Sequence, residues 1–487
     1  MRQALRDRED AAGPPSALRR PSLSHVWVAV AILAPVLVIS SAQLSTIDLT
    51  YLIRAGEIML DEGRLLHVDP FTATAAGLEW ANQQWLAEIL LALAFRAGGW
   101  LGLALLRGVL SIAVLTLIFL ACRLQGAPRK PAAWLTLAAG VLLPGAFMLR
   151  PQLFGMVCFA LVLWLLVARE LRPKGVLALP VVTILWANLH GSFVLAPVLI
   201  GLASLDERQR RGAQTIRLAV VGAASLVATL ANPLGARVWT YAVELTTDPV
   251  IGRVVLEWQP PSIRTYAGAA FFSSVAGVAF LLSRLPRPIP RSTYLTLGIF
   301  FAIALPATRG LVWWAMAAPV ALAAALPRTV RPGRDPANSL NLALIGLVCV
   351  GVVIALAPWF GHADREDPGE RFLVFAPPGI TQALEDVLEP GQVVFNPQAW
   401  GSWFEFRFPE NPVTTDSRFE VIPDQVWELN EEVSDGAEGW QDILDRWGVD
   451  IAVLTEMQQA GLVPRMRDDP GWRLVYEDED GLVFVRA

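Results

Sequence analysis

Long apolar runs separated by short polar linkers dominate the first 360 residues of the chain. A membrane-spanning helix needs about 20 predominantly apolar residues. Eleven segments are candidates, some of them short and closely paired: 26–44, 100–122, 132–149, 151–168, 176–189, 191–205, 216–232, 266–283, 292–308, 310–327 and 339–360. The pattern predicts an all-α polytopic membrane protein with about eleven transmembrane helices.

The positively charged residues orient these spans, because Lys and Arg favour cytoplasmic loops. With the N-terminus inside, the inner segments carry 21 Lys and Arg, whereas the outer loops before residue 361 carry 8. These inner segments are 1–25, 123–131, 169–175, 206–217, 284–291 and 328–338. We expect a cytoplasmic N-terminal tail (1–25), a transmembrane domain (26–360) and an extracytoplasmic C-terminal region.

The C-terminal region (residues 361–487) differs from the rest of the chain. It carries 27 acidic residues against 9 arginines, and its apolar runs are short. Turn signals between these runs indicate a soluble α/β domain. The predicted elements are helices near 380–388 and 439–448, strands at 392–396 and 450–455, and a closing hairpin over 472–487. Within it, the spacing of Asp416 and Arg418 indicates a structural ion pair.

Composition supports the membrane assignment. Hydrophobic residues make up 54% of the chain and charged residues only 17%, whereas about 25% of residues are charged in soluble domains. The mean hydropathy is +0.47. We expect contact with membrane lipid, and the basic surface typical of nucleic-acid binding is missing from the sequence pattern.

The first loop (residues 45–99) holds two aspartates close to the membrane. Asp48 precedes an amphipathic helix at 50–62 that a glycine ends. Asp69 lies in the following turn, before a proline. A second apolar helix, 83–97, ends at a double glycine, and the charge count makes it a helix on the outer surface rather than a crossing. Its Glu88 is expected on a solvated face.

This order of features resembles a known family. A first span, an acidic residue, a surface helix ended by Gly, "DPFT", and the helix "WLAEILLALAFRAGG" are similar to the first outer loop of the GT-C superfamily of polyprenyl-phosphate-dependent glycosyltransferases. The bacterial branch related to protein O-mannosyltransferases and aminoarabinose transferases is the most similar. The resemblance is best over 26–125 and extends to "RPQLF", "WANLHGSF", "ANPLG" and "EWQPPS".

The resemblance implies a polyprenyl-phosphate sugar donor and a catalytic carboxylate. In such enzymes the acidic residue after the first span is catalytic or holds a divalent metal ion. Asp48 matches that position, and Asp69 is a second candidate. A divalent cation is therefore a candidate cofactor with Asp48 as its ligand, although the chain has no adjacent acidic pair at Asp48.

The chemistry of such a transfer needs a base and cations. A carboxylate can take the proton of an acceptor hydroxyl, and arginine binds phosphate with two parallel hydrogen bonds. The predicted outer ends of the spans and loops supply candidates for both tasks. The candidate catalytic residues are Asp48, Asp69, His190 and Glu257, and the candidate donor-binding residues are Arg150 and Arg309.

Structural roles remain open for all of these residues. Asp48 could cap the helix that follows, and Asp69 could stabilise its turn. His190 could be a buried, hydrogen-bonded histidine, Glu257 could pair with an arginine, and the two arginines could anchor loops.

The predicted function is sugar transfer on the extracytoplasmic face of a bacterial plasma membrane, from a polyprenyl-phosphate donor to a glycan, lipid or protein acceptor. Two other functions stay open: a polysaccharide polymerase or ligase, and a non-catalytic membrane scaffold or binding protein that works through its C-terminal region. The transporter alternative is disfavoured because the sequence has no internal repeat.

Overall fold

The computed structural model describes residues 20–142, 144–208, 213–247, 252, 255–327 and 335–487. Several sequence predictions therefore lie partly outside the described residues. These are the N-terminal tail, the inner segments at 206–217 and 328–338, and the candidate span at 132–149.

Helices make up most of the chain before residue 361. The α-helices are Leu23–Ser40, Leu49–Glu62, Trp85–Leu124, Arg129–Leu142, Pro151–Ala168, Leu179–Leu189, Leu195–Arg208, Ala213–Ala228, Arg237–Thr247, Tyr266–Arg284, Arg291–Ala304, Leu311–Ala325 and Ser339–Ala355. Short 3₁₀ turns lie at Pro144–Phe147, Gly175–Ala178, Gly191–Val194, Leu256–Trp258, Thr308–Gly310 and Ala357–Trp359.

Five helices of the described residues are long and apolar enough to cross a membrane. They are Leu23–Ser40, Trp85–Leu124, Pro151–Ala168, Tyr266–Arg284 and Ser339–Trp359. Shorter apolar helices lie at Gly175–Leu189, Gly191–Leu205, Thr215–Ala228 and Arg291–Ala304. The helical architecture confirms the predicted class, while the count of about eleven crossings stays a prediction.

Helix Leu311–Ala325 lies at the centre of the helical core, and nearly all of its residues are buried. It packs against Arg291–Ala304, Trp85–Leu124 and Arg129–Leu142. Its many alanines allow this because small side chains let helix backbones approach closely.

Glycines end both helices of the first loop, as predicted. Helix Leu49–Glu62 ends at Gly63, whose φ of 66° is left-handed. The 40-residue helix Trp85–Leu124 is interrupted at Gly98 (φ −163°, ψ 27°) and Gly99 (φ 50°, ψ −140°). A Cβ at Gly99 would lie 2.7 Å from the carbonyl oxygen of Asp364, so the close approach of the C-terminal region also requires glycine there.

The C-terminal region forms a small mixed sheet flanked by helices. Its strands are β1 (Val393–Phe395), β2 (Val449–Leu454), β3 (Trp472–Glu477) and β4 (Leu482–Arg486), in the order β1-β2-β4-β3. β1 runs parallel to β2, and the other pairs are antiparallel. Its α-helices are Pro378–Val387, Gln398–Arg407, Asp424–Ser434, Trp440–Arg446 and Leu462–Asp468, and a 3₁₀ turn lies at Glu370–Phe372.

The predicted elements of this region are confirmed, but three further helices were not predicted: Asp424–Ser434, Leu462–Asp468 and Gln398–Arg407, of which the last is the most informative. Its sequence, QAWGSWFEFR, is rich in aromatic residues and contains a glycine, which all disfavour an isolated helix. Trp403 and Phe404 are almost completely buried, so tertiary packing stabilises the helix. It packs directly against Leu49–Glu62 of the first loop.

Candidate functional site

Glu257 joins the two arginines that the sequence singled out. Arg150 immediately precedes helix Pro151–Ala168, and Arg309 lies in the 3₁₀ turn before helix Leu311–Ala325. Nη1 of Arg150 donates to Oε1 of Glu257 at 2.8 Å, and Nε of Arg309 donates to Oε2 at 3.0 Å. The guanidinium of Arg309 also lies 4.9 Å from the ring centre of Trp258. The carboxylate thus holds two cations side by side.

This three-residue group is electropositive. Burial by itself would raise the pKa of Glu257, but Arg150 and Arg309 together outweigh burial and hold that pKa below its ordinary value. Glu257 is therefore ionised at neutral pH. One negative and two positive charges leave an excess positive charge, which can attract an anion such as a phosphate.

Asp48 lies at the start of helix Leu49–Glu62, within electrostatic range of this group. Burial raises the pKa of the Asp48 carboxyl, whereas the nearby Ser417 hydroxyl and the charges of Arg150 and Arg309 act in the opposite direction. The Asp48 side chain makes no capping hydrogen bond to its own helix. The helix-cap alternative therefore does not account for this carboxylate.

His190 is close to the same arginines and is held as a neutral ring. Its Nδ1 accepts the backbone N–H of Ser192 at 3.1 Å and lies 2.8 Å from the Ser192 hydroxyl, which itself accepts from Nε1 of Trp186 at 2.9 Å. Burial, followed by the charges of Arg309 and Arg150, lowers the pKa of His190 to about 3. With Nδ1 accepting, Nε2 carries the proton, so the ring can donate a hydrogen bond at neutral pH.

Asp69 lies outside this group. Its carboxylate is fully buried, accepts the backbone N–H groups of Phe71 at 3.2 Å and Thr72 at 3.1 Å, and pairs with Nη2 of Arg418 at 2.7 Å. Asp69 and Asp48 therefore have different partners. Asp69 connects the first loop to the C-terminal region.

Arg418 is the centre of that connection. Nε of Arg418 donates to Asp416 at 2.6 Å, which confirms the predicted ion pair. Its guanidinium also lies among aromatic rings, 4.8 Å from the centre of Trp80, 4.9 Å from Phe71 and 5.4 Å from Tyr51. Such cation–π contacts strengthen when water is excluded.

The position of Glu88 differs from the solvated face that the sequence predicted. It is completely buried rather than solvated, and Nδ2 of Asn82 donates to its Oε2 at 2.7 Å. The reason is that the segment before the helix folds back towards the helical core. Nε1 of Trp85 donates to Oδ1 of Asn188 at 2.8 Å, and Nε2 of Gln83 donates to the carbonyl of Ala187 at 2.5 Å.

A cavity of about 250 Å³ lies between the first loop, helix Arg237–Thr247 and the C-terminal region. It is lined by Glu79, Ala81, Arg237, Tyr241, Glu244, Leu245 and Glu420. Glu420 is exposed to solvent on the wall of this cavity. Sequence reasoning missed Glu420, Tyr241 and Ser417, because nothing in their local patterns distinguishes them from ordinary surface residues.

The side chains around Asp48 do not fit a divalent cation. Among the described residues, no group of three or more His, Cys, Asp or Glu side chains could hold a metal ion. Asp48 faces two guanidinium groups, which would repel a cation.

Comparisons with known proteins identify the fold of the chain. No family model matches the chain, and no curated protein matches its sequence. Solved structures do match. ArnT from Cupriavidus metallidurans bound to undecaprenyl phosphate superposes with a TM-score of 0.54 at 13% identity, covering 94% of this chain and 97% of that one.

Two further solved structures are similar to this chain. The apo oligosaccharyltransferase of Archaeoglobus fulgidus gives a TM-score of 0.52 at 11% identity, covering 94% of this chain and 74% of that one. The mycobacterial arabinofuranosyltransferase AftD gives 0.53 at 15% identity, covering 96% of this chain but only 42% of that one. All three are GT-C glycosyltransferases. The chain therefore has the GT-C fold, as the sequence resemblance predicted.

Proposed function

We propose that the chain is a membrane glycosyltransferase that moves a sugar from a polyprenyl-phosphate carrier to an acceptor hydroxyl on the extracytoplasmic face. The observation that carries the proposal is the pair Arg150 and Arg309, which Glu257 holds together, with Asp48 near enough for both charges to lower its pKa. A carboxylate beside two cations is the combination that such a transfer needs. The GT-C fold and the undecaprenyl phosphate bound to the similar ArnT agree with this choice of donor.

In the proposed reaction Asp48 is the general base. The acceptor oxygen forms a bond to the anomeric carbon of the sugar, and the bond from that carbon to the phosphate oxygen breaks. The hydroxyl proton passes to the Asp48 carboxylate. Because burial raises the pKa of Asp48 above that of an exposed aspartate, the carboxylate is a better proton acceptor than an exposed one.

The leaving group departs as polyprenyl phosphate with the electron pair of the broken bond. Arg150 and Arg309 stabilise its growing negative charge, which is the main electrostatic task in such a step. His190 donates a hydrogen bond from Nε2 to the donor, since its pKa of about 3 keeps it neutral. Glu257 positions the two arginines and Asp69 the first loop, so neither is assigned a proton-transfer role.

Donor binding tests the proposal. The probe is undecaprenyl phosphate, and binding is measured on the purified full chain in lipid nanodiscs. Arg309→Ala is expected to weaken binding about 10- to 100-fold, because a charge-assisted contact contributes roughly 1.5–3 kcal/mol. Arg150→Ala should act in the same direction.

The control is Arg264→Ala, which removes an exposed arginine of the loop that carries Glu257 and should leave binding unchanged. Equal binding by wild type, Arg150→Ala and Arg309→Ala would overturn the assignment of the phosphate site.

A further inference from the structure

The proposed reaction leaves one cavity of the molecule without a task. It has a volume of about 250 Å³ and lies between the first loop, the C-terminal region and the helix that carries Arg237 and Tyr241. Three carboxylates, Glu79, Glu244 and Glu420, complete its polar wall. A water molecule occupies about 30 Å³ of the liquid, so the cavity has room for a ligand the size of roughly eight waters, such as one sugar ring.

Packing places this cavity beside the helix that begins at Asp48. Two of its wall residues flank Trp80 in the sequence, and the guanidinium of Arg418 lies 4.8 Å from the centre of the Trp80 ring. The wall residue Glu420 follows Arg418 by two positions. The same guanidinium lies 5.4 Å from the ring centre of Tyr51, which comes three residues after Asp48. Residues with this spacing share one side of a helix.

The opposite wall of the cavity is attached to the turn that holds His190. Trp239 lies in the helix that forms this wall, and its ring centre lies 5.2 Å from that of Phe193. Phe193 directly follows Ser192, whose backbone N–H donates to Nδ1 of His190 at 3.1 Å. The cavity is therefore bounded by segments that also carry Asp48 and His190, which is the place that an acceptor has to occupy.

The charges on the wall leave the cavity negative. Arg237 forms an ion pair with Glu79, which joins the helix to the first loop and neutralises both charges. Among the described residues, neither Glu244 nor Glu420 forms an ion pair with a cation. These two carboxylates can therefore accept hydrogen bonds from a ligand, and they repel a ligand that is itself an anion.

We propose that this cavity is the acceptor subsite and that it takes one sugar unit of a glycan, provided that the unit carries no negative charge. Sugar hydroxyls donate charge-assisted hydrogen bonds to carboxylates, and the apolar face of a sugar ring packs on an aromatic ring such as that of Tyr241. Glu244 and Glu420 exclude uronic acids and phosphorylated sugars. The inference rests on the proposed function for its role in transfer, whereas sugar binding can be measured without turnover.

The first experiment measures sugar binding by saturation-transfer NMR on the purified full chain in nanodiscs of zwitterionic lipid. It is run at about pH 8, well above the ordinary pKa of a glutamate. The probes are the methyl glycosides of glucose, galactose and mannose and the three matching uronates, which differ from them by an ionised carboxyl group. At least one neutral glycoside should bind, and its uronate should bind about tenfold more weakly because two like charges oppose it.

Absence of binding by all three neutral glycosides would overturn the proposal. Equal binding of a neutral glycoside and its uronate would overturn it as well, because the cavity would then not select by charge.

The second experiment locates the bound sugar. Glu244→Gln and Glu420→Gln keep the shape of the side chain and remove its charge, so each should weaken binding of the neutral glycoside about fivefold. In the double variant the uronate should bind as well as its neutral partner, since the repulsion is gone. A purely structural role of the two residues would not change this ratio.

The matched control is Glu438→Gln, which removes an exposed carboxylate of the C-terminal region outside the cavity and should change neither affinity. Gel filtration confirms that each variant is folded. If the double variant still discriminates against the uronate as the wild type does, or if Glu438→Gln has the same effect as the cavity variants, the sugar does not bind in this cavity.

Binding of undecaprenyl phosphate, measured on the same preparations, separates this inference from the proposed function. A chain that binds undecaprenyl phosphate but no sugar keeps its donor site and loses the acceptor subsite proposed here. A chain that binds the neutral sugar in the cavity but no undecaprenyl phosphate contradicts the proposed function, while the sugar-binding cavity stands.

Discussion

Arg418 of the C-terminal region and Asp69 of the first loop form an ion pair in which neither side chain is exposed to solvent, with Nη2 of the arginine 2.7 Å from Oδ1 of the aspartate. Removing one partner of such a pair leaves an uncompensated buried charge. The pair therefore makes the conformation of the first loop, and with it the place of Asp48, depend on the C-terminal region.

The stability prediction follows from this burial. Arg418→Ala should lower the free energy of unfolding by about 3–5 kcal/mol, because it strands the Asp69 and Asp416 carboxylates. The control Arg467→Ala removes an exposed pair with Glu477 and should cost less than about 1 kcal/mol. Denaturant unfolding of the purified full chain measures both variants. Equal losses would show that the buried pair contributes no more than an exposed one.

Glu405 gives a prediction with a pH dependence. Burial raises the pKa of Glu405 well above its ordinary value of 4.5, and the Asp416 charge raises it further. The raised pKa favours the protonated carboxyl beside the negative charge of Asp416. Glu405→Gln keeps a donor, so it should stay within about 1 kcal/mol of wild type, whereas Glu405→Ala should cost about 1–3 kcal/mol.

The sign of the pH effect follows from the raised pKa. Folded Glu405 retains a proton that the unfolded chain releases above pH 4.5, so its contribution to stability is complete below that pH and is lost as pH rises towards the folded pKa. The stability of wild type relative to Glu405→Gln should therefore decrease between pH 4.5 and neutrality. An increase over that range would contradict a protonated Glu405.

Topology is a separate prediction. The charge pattern places Lys130 inside and the C-terminal region outside. Single cysteines introduced at the exposed positions Lys130 and Glu431 should therefore differ towards an impermeant thiol reagent added outside intact cells. Labelling is expected at 431 and not at 130, with the unmodified chain as the background control. Labelling at position 130 alone would show that the orientation in the membrane is opposite to the predicted one.

Local signals in the sequence predicted much of the fold. The apolar runs, the glycines that end both helices of the first loop, and the strand pattern of the C-terminal region are short-range features, and the structure has them. Asp416 and Arg418 are also close in sequence, which is why their pairing was predictable. The GT-C resemblance was readable from the order of features in the first loop.

Contacts between distant segments were not predictable in this way. The ion pair between Asp69 and Arg418 joins two segments that are far apart in the sequence. Glu88 looked solvated because helical periodicity describes one helix alone, and its burial depends on how the preceding segment packs. Arg150 and Arg309 were identified from the sequence by their predicted position near one membrane face. The bridge that Glu257 forms between them depends on three segments that are far apart in the sequence.

The central claim is that Asp48 accepts the proton of the acceptor, and its most direct test is turnover of Asp48→Asn with the donor bound. We expect sugar transfer to fall by about two to four orders of magnitude, the usual effect of losing a general base, while undecaprenyl phosphate binding is retained. The control Asp61→Asn, which changes an exposed carboxylate on the same helix, should transfer at the wild-type rate. Wild-type turnover by folded Asp48→Asn would contradict the account.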